Sequence, residues 1–142
     1  MSETGNYIVE LKANDARKVL VFENWKYDTK GTEGYTFDVR VLSGDFAAKQ
    51  MFFLYRTCLE QFLRKLEKMA TQLSGTVELK DEYENHYVRM ELDRLGHLTV
   101  VGEFWYHAPL DQHLKFGFKT DQTCLQPLFN DLSRVVNELR SL

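Results

Sequence analysis

Only two cysteines and two prolines occur among 142 residues, long apolar runs are missing, and neither sign of charge dominates. Each shortage excludes something. Cys58 and Cys124 cannot supply a disulfide framework, and each falls inside a helical apolar pattern, so both are expected as small buried hydrophobes. The longest apolar cluster, near Met51 to Tyr55, is far shorter than the roughly 20 residues of a membrane-spanning helix, and no membrane association is expected. With 18 Lys plus Arg against 21 Asp plus Glu, the summed field does not draw in phosphate backbones, which argues against nucleic-acid binding. Met1-Ser2-Glu3-Thr4-Gly5-Asn6 has neither a basic start nor an apolar core with a cleavage site, so a cytoplasmic protein is expected.

Chemical motifs are missing too. There is no Gly-x-Ser-x-Gly elbow, no glycine-rich phosphate loop and no closely spaced His or Cys pair. His86, His97, His107 and His113 lie at strand ends or turns without metal-ligand spacing, and no metal, cofactor or catalytic residue is assigned. Asp121, between a strand and a helix, could be imagined as a general base, but with Thr123 it sits where helix-start residues belong.

What is present is the pattern of one folded domain over residues 1–142: 44% apolar, 13% aromatic and 27% charged. Alternation predicts strands carrying Tyr7/Val9/Leu11, Val19/Val21/Trp25 and Tyr35/Phe37/Val39/Val41, then a fourth with Phe46, Ala48, Gln50, Phe52 and Leu54 on one side. From Tyr55 the period lengthens: Leu59, Phe62, Leu63, Leu66, Met69, Ala70 and Leu73 form one stripe of a helix that Ser74-Gly75 should end. Four more alternating segments follow, at 76–80, 86–93, 98–107 and 114–119. A second helix carries Leu125, Leu128, Phe129, Leu132, Val135, Val136 and Leu139, with Thr123 and Gln126 spaced as a capping box and Pro127 in the first turn. Short connections favour antiparallel pairing. The expected fold is α+β: an antiparallel sheet of about seven to eight strands with two amphipathic helices packed on one face.

Two surfaces stand out. Glu78, Asp81, Glu82, Tyr83 and Glu84 gather acid and one aromatic on a hairpin. A solvated turn is the plain account; a contact surface for a basic partner is the functional one, with the acids steering encounter and the tyrosine anchoring it. The sheet face away from the helices would bring Tyr87, Arg89 and Glu91 beside Val101, Glu103 and Trp105. Such a face suits an interface, a homodimer contact, or cover by the N-terminal strands. The candidate partner-binding residues are therefore Asp81, Glu82, Tyr83, Glu84, Tyr87 and Trp105. Competing functions are a pocket between sheet and helices lined by Phe46, Phe52, Phe62, Phe104, Phe116 and Phe129, and RNA stacking on Tyr87, Arg89 and Trp105, where Glu91 and Glu103 would repel the backbone.

Lys115-Phe116-Gly117-Phe118-Lys119-Thr120-Asp121-Gln122-Thr123 followed by Leu125-Gln126-Pro127-Leu128 resembles the end of small bacterial proteins of the WapI immunity type. Phe37-Asp38-Val39 with Ser43-Gly44-Asp45-Phe46, the helix with Leu59, Phe62, Leu63 and Leu66, and Leu95-Gly96-His97-Leu98-Thr99-Val100 extend the likeness over about positions 35 to 140. The resemblance implies a single α+β domain that binds and neutralises a secreted or contact-delivered bacterial toxin; together with the missing catalytic motifs and the acidic hairpin, it leads to the expectation of a non-enzymatic protein-binding module.

Overall fold

The computed structural model describes residues 2–4, 7–15, 17–31, 33–107 and 109–142. Met1, Gly5 and Asn6 of the N-terminal segment lie outside them, as do Thr32 and Ala108, which are expected in turns between strands. The strands are β1 (Ser2–Thr4), β2 (Val9–Lys12), β3 (Lys18–Asp28), β4 (Gly34–Ser43), β5 (Phe46–Tyr55), β6 (Gly75–Lys80), β7 (Tyr87–Leu92), β8 (His97–Tyr106) and β9 (Gln112–Asp121). Helix α1 (Arg56–Gln72) separates β5 from β6, and α2 (Leu125–Ser141) closes the chain. The α+β class is as expected, and no helix is long and apolar enough to cross a membrane.

The strands divide into two antiparallel sheets where one was expected. The first has the order β1-β3-β4-β5 with β2 also on β3, and the second has the order β6-β7-β8-β9. The reason is local. Every sequence-adjacent pair in 18–55 and in 75–121 can form a hairpin, but α1 stands between β5 and β6, and β5 meets the ends of the second sheet rather than its edge. There the contacts are made by side chains: Phe52 lies 5.9 Å from Phe104 and 6.1 Å from His86, and the Gln50 side-chain amide donates to the Trp105 carbonyl.

Helix α1 rests on β4, β5 and β6, α2 rests on β2 and β3, and the two helices lie side by side, joined near their solvent face by Arg140 to Glu60 at 2.7 Å. The buried sides of both sheets and both helical stripes therefore form one continuous core. Tyr35 is fully buried in it and donates its hydroxyl to the Val136 carbonyl at 3.2 Å, and burial pushes its phenol pKa up to about 12.

Several local expectations need correction. Val19 and Val21 do not share a side with Trp25, because a bulge at Asn24 (φ 57°) lets Phe22, Trp25 and Tyr27 all face inward. Phe46 is 70% exposed at the β4–β5 turn, beyond the reach of the core. Leu73, not Gly75, is the left-handed residue that ends α1. The capping box does not form: Gln126 instead donates to Asn130, while Asp121 accepts from the Thr123 backbone and hydroxyl, so Asp121 caps the short 3-10 turn at Gln122–Cys124. Cys58 and Cys124 are free thiols, half-buried against the core.

Candidate partner-binding surface

The turn 81–86 is built around one carboxylate. Asp81 is 5% exposed; Oδ1 accepts the Phe53 backbone N–H at 2.6 Å, and Oδ2 accepts those of Glu84 at 2.7 Å and Tyr83 at 3.3 Å. Two backbone bonds complete the turn, Asp81 N–H to His86 C=O and Glu82 N–H to Phe53 C=O, each 3.0 Å. A buried carboxylate needs such donors to offset its lost hydration, and here they both close the turn and fasten it to β5. Asp81 is thus the anchor beneath the acidic hairpin and contributes nothing to its surface.

His86 stands beside it, 3% exposed, between Phe52, Phe104 and Trp105. Its Nδ1 accepts the Trp105 backbone N–H at 3.1 Å, which fixes the neutral ring with its proton on Nε2. Burial lowers the imidazole pKa; Asp81 and Glu84 oppose that shift, and His107 adds to it.

What the anchor displays is aromatic. Tyr83, 67% exposed, stacks on Phe53 with centroids 5.2 Å apart, and its hydroxyl shares a 2.8 Å hydrogen bond with Tyr55, itself 38% exposed. That bond is the leading reason the Tyr83 phenol titrates above its ordinary value. The Phe53 ring lies over Gly34, where a β-carbon would come within 2.4 Å of it, so a glycine is what lets the ring settle on the sheet. Met51, 58% exposed, continues the outward row of β5. Glu82 and Glu84 are exposed and flank the cluster.

Of the expected binding residues, Glu82, Tyr83 and Glu84 are brought together on this surface. Met51, Phe53 and Tyr55 join them without having been expected. Their signal was present but misleading: 51–55 is apolar on both sides of the strand, which reads as burial, yet only Phe52 and Leu54 are buried.

Tyr87 and Trp105 occupy a separate face, the outer side of the second sheet, and the N-terminal strands leave both half-exposed. Their rings already have partners. Arg89 sits 6.0 Å from the Tyr87 ring, and Trp105 stacks on His113 at 4.5 Å and 5°. Glu103 joins the two groups, hydrogen-bonded to Tyr87 and 3.0 Å from His113 Nε2; the Tyr87 bond is the main cause of a lowered Glu103 pKa. A carboxylate at the centre of this face disfavours a nucleic-acid backbone.

Among the described residues, the clefts between helix and sheet are open to solvent: one of about 350 Å³ borders Cys58, Phe62, Lys65 and Glu82, and one of about 380 Å³ borders Glu10, Lys12, Cys124 and Asp131. The space bounded by Phe22, Trp25, Phe37, Leu59, Phe62 and Leu132 has no room for a water molecule. Of the six phenylalanines suggested for a pocket, Phe46 is outside, Phe129 is half-buried, and the other four are packed in the core. Among the described residues, no three His, Cys, Asp or Glu side chains converge as metal ligands.

Compared with known proteins, the chain matches the family model described as "Immunity protein WapI-like family" over residues 11–140. The match starts upstream of the likeness noted from about position 35, in keeping with β2 and β3 being integral to the first sheet. No curated protein matches the chain.

Proposed function

The chain belongs to the WapI-like immunity protein family, and from that membership we propose that it is a non-enzymatic binding module that neutralises a bacterial toxin by covering it. The observation that carries the reading is the cluster of Met51, Phe53, Tyr55 and Tyr83, held outward by the buried Asp81 and flanked by Glu82 and Glu84. Tyrosine, phenylalanine and methionine are the side chains enriched at interface centres, and their exposure on a prearranged turn means little ordering is required when a partner docks. Two exposed carboxylates at the rim, Glu84 and the Glu82 that also accepts from the Cys58 thiol, select a basic toxin domain and accelerate the encounter.

The test is to express any toxin domain encoded beside the gene and to measure its binding by titration calorimetry and stopped-flow mixing. Tyr83→Ala should weaken binding by about 2 kcal/mol, as expected for a central aromatic anchor. Glu82→Lys with Glu84→Lys should slow association and flatten its salt dependence. Full affinity in both variants would overturn the placement of the surface, and no binding by the parent protein would overturn the function.

A further inference from the structure

Strand β5 is the last strand of the first sheet, and its free edge is only partly used. At Phe53 the backbone N–H is taken by Asp81 and the C=O by Glu82, both outside β4, so this residue's backbone groups point away from the sheet. Backbone direction alternates along a strand, so Met51, Lys49 and Ala47 point the same way. Among the described residues, none of these three has a backbone partner on that side.

A groove of about 390 Å³ lies against this stretch. It is lined by four consecutive residues of β5, Ala47 to Gln50, whose side chains alternate between the two faces of the sheet; all four can border one space only if that space lies along the edge. The opposite wall is the end of the β8–β9 hairpin, with Trp105, Tyr106 and His113, and the Gln50 to Trp105 hydrogen bond closes one end. Ala47 and Ala48 are small enough for another backbone to come close. Lys49 lies 3.9 Å from Asp38, and His113 Nε2 lies 3.0 Å from a Glu103 carboxylate oxygen.

We propose that this slot receives one extended segment of the partner protein, which adds as a strand to the Ala47–Lys49–Met51 edge while its flanking residues lie against Trp105 and Tyr106. This deepens the binding function proposed above and rests on it. Unpaired N–H and C=O groups at strand spacing are matched by another extended backbone, so main-chain pairing is the chief source of recognition. A second copy of the chain fits less well, because its own sheet would have to pass through the place occupied by Trp105 and His113.

The probe is a displayed library of linear peptides selected against the whole protein, followed by residue-resolved amide exchange. In the free protein, the Ala47, Lys49 and Met51 amides should exchange fast while Ala48, Gln50 and Phe52, bonded to β4, exchange slowly. A selected peptide should protect the fast set alone. Lys49→Pro removes an outward N–H without removing a bond to β4, so it should keep the fold and lower peptide affinity about tenfold or more; a Lys49→Ala control should bind nearly as the parent does. Equal protection of odd and even amides in the free protein, failure to select any peptide, or equal binding to the Pro variant would each overturn the slot. A toxin domain that needs Tyr83 but ignores Lys49→Pro would overturn strand addition and leave the immunity function standing. Loss of toxin binding with peptide binding intact in Tyr83→Ala separates the two in the other direction.

Discussion

At the scale of single residues, the polar groups that matter are buried ones beside the surface they support. Asp81 and His86 occupy successive ends of one turn, and each accepts backbone N–H groups from a neighbouring strand, Phe53 of β5 and Trp105 of β8. His86 makes this arrangement pH-sensitive. Its folded pKa is lowered by burial, so between that value and the ordinary value of about 6.5 the unfolded chain binds the extra proton. Stability is therefore fully present above about pH 6.5 and is lost as pH falls through the lower folded value. Urea unfolding followed from about pH 7 to pH 5 should show this decline, and His86→Gln, whose amide oxygen can still accept the Trp105 N–H, should show a shallower one. Equal slopes would mean that His86 is not the titrating group.

At the scale of elements, β4 and β5 are built asymmetrically, with one face locked in the core and the other carrying the candidate surface. Gly34 is the point where this depends on a missing side chain. Gly34→Ala would place a methyl carbon 2.4 Å from the Phe53 ring, which must tilt away and carry Tyr83 with it. The expected result is a loss of about 1 to 2 kcal/mol in stability and weaker partner binding than that loss explains, measured by unfolding and calorimetry on the same sample. Much of this element structure was legible in the sequence. The change of period at Tyr55 and the stripe from Leu59 to Leu73 place α1 within a residue at each end, and alternation locates the four strands of the second sheet. Other features depend on contacts that no local pattern encodes. The Asn24 bulge reverses which residues of β3 face inward, the short β1 lacks a pattern, and Asp81 looks like any surface acid until the Phe53 backbone is seen to need it. The same limit hid Met51, Phe53 and Tyr55: an apolar residue on a strand reads as buried whichever way it points.

At the scale of the molecule, two sheets and two helices share one core, so they should unfold together despite the division of the strands. The two tryptophans report on this separately, Trp25 from the first sheet and Trp105 from the second. Single-tryptophan variants, Trp25→Phe and Trp105→Phe, should each give a fluorescence midpoint that coincides with that variant's own circular-dichroism midpoint. Asp81→Ala, which strands three backbone donors at the seam, should cost about 3 kcal/mol while keeping the transitions coincident. Separate midpoints in the parent fold would show that the sheets are independent units. The single-sheet expectation fails at this scale because the pairing of β5 with the second sheet's ends is made by Gln50, Phe52 and Asp81 rather than by a ladder of backbone bonds.

The two-sided character of β5 also bears on how such a protein can change. Gln50 and Phe52 tie β5 to the second sheet and Leu54 is buried, whereas the alternate residues Lys49, Met51 and Tyr55 are exposed. Substitutions at every second position can therefore alter what is recognised while leaving folding nearly untouched. A lineage pressed to match a changing adversary could draw its variation from those alternate sites, with stability and specificity inherited along one strand as almost independent traits.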